Sequence, residues 1–210
     1  MHAALRQGRD ADVACRDCCA CCSTAHFVHI APDEADTLAH VPPELLFPAP
    51  GHPDGTMLMG YDERGHCPML RDGLCSIYEH RPRTCRVYDC RVFAAAGIEA
   101  DRDEITMRSS RWVFRYPGQG DRDEHEAVRA AARFVAGHAA LLPADSVPRD
   151  PSALAVLAVT TADAFAPVVR AAAEGRTGHD ASELSDEQLA RRLIEAARRL
   201  MVGTVPPDTC

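Results

Sequence analysis

The feature that most constrains this chain is a run of cysteines near its start. Residues 15–22 read Cys-Arg-Asp-Cys-Cys-Ala-Cys-Cys, so that five thiols fall within eight residues. Cysteines that only fill a hydrophobic core are not placed this densely along a chain. Two cysteines separated by two residues, in contrast, let one turn of backbone present two sulfurs to a single soft metal ion or to an iron–sulfur cluster. The run therefore predicts a metal site.

A second group of cysteines follows after a gap, beside turn residues and prolines. Neither group alone offers a complete and well-separated set of ligands, so we expect the two groups to converge in space. If residues 15–22 are helical, Cys19 and Cys21 turn aside from the face that the other sulfurs share. The metal ligands proposed from the sequence are Cys15, Cys18, Cys21, Cys22, Cys67, Cys75, Cys85 and Cys90.

The residues around the second group carry a resemblance to a known family. Cys-Pro-Met-Leu (67–70), Gly-Leu-Cys-Ser-Ile-Tyr (73–78) and Arg-Pro-Arg-Thr-Cys-Arg (81–86) follow one another in that order. With the first run, they resemble the CxxCxxCC cysteine-cluster proteins, described as zinc- or iron-chelating. The resemblance covers residues 15–93 and implies metal binding without implying a particular reaction. The chain departs from the family at Cys19, where the family has glycine.

Charge and composition exclude several functions. The net charge of −8 argues against a nucleic-acid groove, because binding to phosphates needs clustered positive charge. All 23 basic residues are arginine, so that Schiff-base chemistry and a phosphate loop with its lysine are excluded. The start of the chain lacks the apolar stretch of a secretory signal, and Asp163 and Pro167 interrupt its most apolar run. We therefore expect a cytoplasmic protein without a membrane span, in which grouped cysteines bind metal rather than form disulfides.

The rest of the pattern predicts an α+β fold: a small cysteine-rich metal-binding module with short strands and helices, followed by an α-helical C-terminal extension. We place the module at residues 1–120 and the alanine-rich helical region at 121–210. Strands are expected at residues 27–30, 56–61 and 112–116, with residues 74–77 as the hairpin partner of the second strand. Helices are expected from Pro32 to about His40 and at residues 124–142, 151–174 and 186–202. Ser185 and Gln188 predict a capping box for the last helix, and Asp150 is the expected N-cap of the one before it.

The function that this pattern favours is the binding of zinc or iron through clustered thiolates, in a structural, sensing or metal-handling role. The alternative is an enzyme in which an iron–sulfur cluster carries redox or radical chemistry. The sequence contains no HExxH, no glycine-rich phosphate loop and no Ser-His-Asp order, so the question of catalysis stays open. The expected partner is a metal ion, with a protein partner left open and no nucleic acid or membrane expected. Participation of Cys19, His66 and His80 in the site is also left open, and Arg81 and Arg86 either form ion pairs or face the thiolates.

Overall fold

The structure is a computed structural model that describes residues 18–174 and 184–203, with side chains up to residue 199. Its helices and short strands confirm the α+β class with a helical C-terminal part. The strands are β1 (Val28–Ile30), β2 (Leu46–Pro48), β3 (Met57–Met59), β4 (Leu70–Arg71) and β5 (Leu74–Cys75). The helices are α1 (Ala35–His40), α2 (Arg83–Val87), α3 (Arg91–Ala96), α4 (Asp103–Ser109), α5 (Gln119–Gly137), α6 (Pro151–Ala173) and α7 (Asp186–Gly203).

The chain divides into two compact units. Among the described residues, the first comprises residues 18–89 and 102–108 and is called the cysteine unit below. The second, the helical unit, comprises residues 90–101 and the described residues from 109 onward. This division differs from the single boundary near residue 120 that the sequence suggested, because the chain leaves the cysteine unit at Cys90 and returns to it at Arg102.

The cysteine unit is built on two small antiparallel sheets. In the first, β3 lies between β1 and β2, with Leu58 paired to His29 on one side and to Phe47 on the other. In the second, β4 and β5 form a hairpin. Apolar side chains from both sheets and the connecting segments bury a shared core, and this burial supplies the main driving force for ordering such short elements. The core comprises Ile30, Val41, Met59, Met69 and Ile77.

A buried carboxylate joins two distant segments of this unit. Glu34, only 7% exposed, accepts hydrogen bonds from the backbone N–H of Ala31 and of Arg83. The hydroxyl of Thr84 donates to the backbone oxygen of His29 at 2.8 Å. Hydrogen bonds to a buried charged acceptor are among the stronger ones in proteins. They fix the start of α2 against the segment that follows β1.

The helical unit is a bundle around α6, which packs against α3, α5 and α7. Alanines such as Ala131, Ala155, Ala158 and Ala197 are completely buried, so the helices approach one another closely. The predicted caps are present. Asp150 accepts from the backbone N–H of Ala153 at 2.8 Å, and Ser185 and Gln188 bond reciprocally as a capping box.

Two predictions about elements were wrong. Residues 112–116 do not form a strand, because no neighbouring strand pairs with them and Val113 is 85% exposed. The segment at residues 74–77 does not pair with β3, since β3 is already flanked by β1 and β2 and β5 pairs with β4. Helix α6 continues past Pro167 to Ala173, close to the predicted range of residues 151–174.

Helix α6 also has the length and composition of a membrane span. It contains 23 residues, and the mean hydropathy of its most apolar window is 1.7. Within the structure 44% of that window is buried. The central helix of a bundle has the same properties, and the buried residues of α6, such as Leu157 and Phe165, lie within the helical unit.

Candidate metal centre

Cysteines from both sequence groups line one small cavity in the cysteine unit. The cavity has a volume of about 50 Å³, and its apolar wall includes Met59, Met69, Ile77 and Pro82. The two groups therefore converge, as the ligand-count argument predicted. The cysteines that line the cavity are Cys18, Cys19, Cys21, Cys22, Cys67, Cys75 and Cys85.

The first group reaches the cavity from an irregular loop and a single 3₁₀ turn, Cys21–Ser23. Ser23 donates to the backbone oxygen of Cys19 through both its N–H and its hydroxyl, each at 2.9 Å. The buried hydroxyl of Thr24 donates to the backbone oxygen of Cys21 at 2.9 Å. These short-range bonds give the loop a defined shape without a continuous helix. Cys19 and Cys21 were expected to turn aside only if the run were helical; its described part is not a continuous helix, and both residues line the cavity.

One backbone hydrogen bond ties the two groups together directly. The N–H of Cys67 donates to the oxygen of Cys22 at 2.8 Å. Since the groups are 45 residues apart in sequence, this bond sets the position of one ligand loop relative to the other. It orients the two cysteines for the same cavity.

Cys67 precedes β4 and Cys75 ends β5, and a similar two-residue turn follows each of them. The sulfur of Cys67 accepts hydrogen bonds from the backbone N–H groups of Met69 and Leu70, and the sulfur of Cys75 accepts from Ile77. Such bonds favour the ionised sulfur, and they direct it to a fixed position. The backbone thus prepares both cysteines as thiolate ligands.

The hairpin itself follows from a short sequence signal. Arg71 pairs with Leu74, which leaves Asp72 and Gly73 as a two-residue turn. Both turn residues have positive φ, 51° for Asp72 and 77° for Gly73. Asp-Gly is a preferred sequence for a type I′ turn, in which both central residues require this conformation. The turn brings Leu70 opposite Cys75 and so sets the spacing of the two turns that carry sulfur.

Cys85 completes the group from helix α2. Pro82 precedes the helix, and the N–H of Arg83 in its first turn is held by Glu34. Burial is the first cause that raises the pKa of Cys85, to about 12, and the neighbouring thiolates of Cys22 and Cys67 raise it further. Cys85 is therefore a protonated thiol at neutral pH unless a cation replaces its proton.

The same electrostatic effect operates on the other sulfurs. Burial raises the pKa of Cys67 to about 11 and also raises the pKa of Cys75. A hydrogen bond with Cys21, followed by burial, raises the pKa of Cys22. Charge on any one of Cys22, Cys67, Cys75 and Cys85 disfavours charge on the others, because the four lie within electrostatic range of one another. A divalent cation between them removes this repulsion, so the donor set fits a metal ion.

Arg81 supplies a buried positive charge beside the thiols. It is 7% exposed, its guanidinium lies 3.9 Å from the centre of the Tyr78 ring, and it donates to the Tyr78 backbone oxygen at 2.6 Å. Its charge lowers the pKa of Cys75 and Cys85 and so opposes the effect of burial. Arg86 fits the other interpretation, since it lies 4.0 Å from the carboxylate of Glu34. Of the two interpretations that the sequence left open, Arg81 therefore fits a charge that faces the thiolates, and Arg86 fits an ion pair.

Four further residues named from the sequence as ligands or possible ligands are not among the seven cysteines that line the cavity. Cys15 lies outside the described residues. Cys90 belongs to the helical unit, as the residue before α3, and its role as a ligand stays a prediction. His66 and His80 are not among the residues that line the cavity. The N–H of His66 bonds to Asp62, and the ring of His80 bonds to Asp36.

The sulfurs are spaced more widely than a single bound ion requires. Tetrahedral zinc with Zn–S distances of about 2.3 Å places its sulfurs roughly 3.8 Å apart. Among the described residues, the one group of three ligand atoms that all lie within 4.8 Å of one another is Asp36, His40 and His80. Sequence reasoning missed Asp36 and His40, although their spacing of four residues at the end of a helix is a signal for side chains on one face.

Comparison with known proteins identifies the part of the chain that contains the cavity. Residues 14–109 match the family model CxxCxxCC, whose description is "Putative zinc- or iron-chelating domain". The match confirms the resemblance. All seven cavity cysteines lie within the matched residues, and the match ends before α5. No curated protein and no solved structure matches the chain. The family match supports metal binding by this part of the protein.

Proposed function

We propose that the cysteine unit binds one zinc or iron ion through the thiolates of Cys22, Cys67, Cys75 and Cys85, and that its role is metal handling. The observation that carries the proposal is the common cavity in which these four thiols influence one another electrostatically. Four thiolates saturate a tetrahedral ion and leave no open position for a substrate. Binding therefore accounts for this arrangement better than catalysis.

Surplus thiols favour handling over a purely structural role. Cys18, Cys19 and Cys21 line the same cavity beyond the four ligands that one ion needs. Thiols next to a filled site can replace its ligands one at a time. The ion can then leave the site without losing all of its protein ligands at once. A structural zinc site needs no such reserve.

The second candidate function is an iron–sulfur centre, which the wide spacing of the sulfurs favours. Rotation about χ1 is enough to move a cysteine sulfur inward, so the spacing is also compatible with one ion. The four thiols that influence one another electrostatically complete a tetrahedral shell without added sulfide, and this favours one ion.

The test is metal analysis combined with visible absorption on protein purified without oxygen. One equivalent of zinc or ferrous iron, without acid-labile sulfide, agrees with the proposal. A brown chromophore with stoichiometric sulfide contradicts it and supports the cluster. Cys75→Ser and Cys85→Ser are expected to lose the metal, whereas Cys210→Ser, at the end of the chain, serves as the matched control. Transfer of the ion to a metal-free acceptor protein then separates handling from a static site.

A further inference from the structure

A second group of metal-ligand side chains lies on the surface of the cysteine unit. Asp36 and His40 are on α1, and His80 is the last residue of the 3₁₀ turn Tyr78–His80. One ligand atom from each residue lies within 4.8 Å of the other two. None of the three lines the cysteine cavity. They are separate donors of nitrogen and oxygen rather than sulfur.

Hydrogen bonds already orient the two imidazoles. The Nδ1 of His40 lies 2.7 Å from the backbone oxygen of Asp36, which can only accept, so this nitrogen carries the proton. The lone pair of His40 is then on Nε2 and is available to a metal. A metal-binding histidine commonly donates its other N–H to a carbonyl or carboxylate in this way. The Nδ1 of His80 lies 2.8 Å from the Asp36 carboxylate, which places the three groups in one connected set.

The rings of His40 and His80 are stacked, with their centres 3.5 Å apart and their planes inclined by 4°. A metal ion binds an imidazole nitrogen close to the plane of its ring, so at least one ring has to turn for both to bind the same ion. The side chains are 41% and 39% exposed, which leaves room for that rotation. The short separation means that the backbone does not need to move.

The surrounding charges are compatible with a cation. His40 ends α1, where the exposed carbonyl groups create a partial negative charge. Arg86 is close enough to Asp36 to affect it, but Arg86 also lies 4.0 Å from the buried carboxylate of Glu34, which offsets its charge. Asp36 therefore contributes the net negative charge of the triad.

We propose that Asp36, His40 and His80 form a second binding site, for a borderline divalent cation such as Zn²⁺ or Fe²⁺. Two imidazoles and one carboxylate are a set that both cations accept, and water fills the remaining positions. Because all three side chains are partly exposed, the ion exchanges with solvent more readily than an ion held by four buried thiolates. This proposal goes beyond the thiolate site and does not depend on it.

Titration of the metal-free full-length protein with Co²⁺ tests the proposal, because cobalt reports its ligands. Cobalt bound by thiolates gives intense charge-transfer absorption in the near ultraviolet, whereas cobalt bound by nitrogen and oxygen gives only weak visible bands. We expect a second binding phase of the weak kind. His40→Ala and His80→Ala should each weaken that phase at least ~10-fold, and Asp36→Asn should weaken it as well. The thiolate absorption should persist in all three variants.

His52→Ala is the matched control, because His52 is another exposed histidine that contacts a second one, with 3.1 Å between its Nε2 and that of His29. It should leave both phases unchanged. The proposal is overturned if no second phase occurs, if that phase survives in both His40→Ala and His80→Ala, or if His52→Ala alone removes it. Circular dichroism verifies that each variant is folded. If the charge-transfer absorption is missing while the weak phase follows the triad, the thiolate proposal fails and this one stands.

Discussion

Glu34 gives a sharp test of how the ligand loops are held, because its buried carboxylate accepts from the N–H groups of Ala31 and Arg83. Glu34→Gln keeps the shape of the side chain but leaves one acceptor oxygen, and it turns an amide donor toward one of the two N–H groups. A hydrogen bond to a charged group contributes about 1.5–3 kcal/mol, and an unsatisfied buried donor costs a similar amount. We therefore expect the variant to lower the free energy of unfolding of the cysteine unit by about 2–3 kcal/mol.

The assay follows the reaction of buried thiols with a chromogenic disulfide in metal-free protein. If opening is fast compared with the reaction, the rate is proportional to the population of the open form. A loss of about 2–3 kcal/mol then accelerates labelling of Cys85 by ~30–140-fold. Asp33→Asn is the matched control, because Asp33 precedes Glu34 and pairs with the exposed guanidinium of Arg83 at 2.7 Å. Equal labelling rates in the two variants would refute the reasoning.

Three further predictions concern the cavity. In metal-free protein the pKa values of about 11 for Cys67 and about 12 for Cys85 exceed the unfolded value of about 8.5. The contribution of these two thiols to stability is therefore complete below about pH 8.5 and is lost as the pH rises through their folded-state pKa values. The urea midpoint of unfolding should fall from pH 8 to pH 11. A midpoint that rises over this range would exclude the effect. Arg81→Met should weaken zinc binding, measured in competition with a chromophoric chelator, because the charge of Arg81 favours the ionised forms of Cys75 and Cys85. Arg71→Met, on the exposed face of β4, should leave zinc binding unchanged. Cys19→Gly should retain full metal stoichiometry, and a loss as large as that in Cys85→Ser would make Cys19 a ligand.

Features encoded by neighbouring residues could be predicted from the sequence. The caps at Asp150 and Ser185 depend on hydrogen bonds between residues three apart, so the local pattern determines them. The long helices were also predicted, although α5 begins at Gln119 rather than at Glu124. Convergence of the two cysteine groups was predictable as well, because it follows from the number of ligands that a metal needs.

Features that depend on distant residues could not be predicted in the same way. The alternation at residues 112–116 has the period of a strand. A strand also needs a neighbouring strand to pair with, and the sequence alone does not reveal whether these residues have one. The partner of β3 is decided by competition among several short strands. The triad likewise joins Asp36 and His80, which are 44 residues apart. The shape of the five-cysteine run was left open by the sequence as well: a helix was one option, whereas the described part has only one 3₁₀ turn.

The position of the cavity along the chain has a consequence for biosynthesis. All seven cysteines that line it lie between Cys18 and Cys85, so the ribosome has made every one of these sulfurs before it reaches α5, α6 and α7. At elongation rates of about 5–20 residues per second, residues 86–210 take ~6–25 s to translate. During that interval the nascent chain already contains all seven thiols that line the cavity. We therefore expect metal supply at the moment of translation to influence which ion the protein first receives.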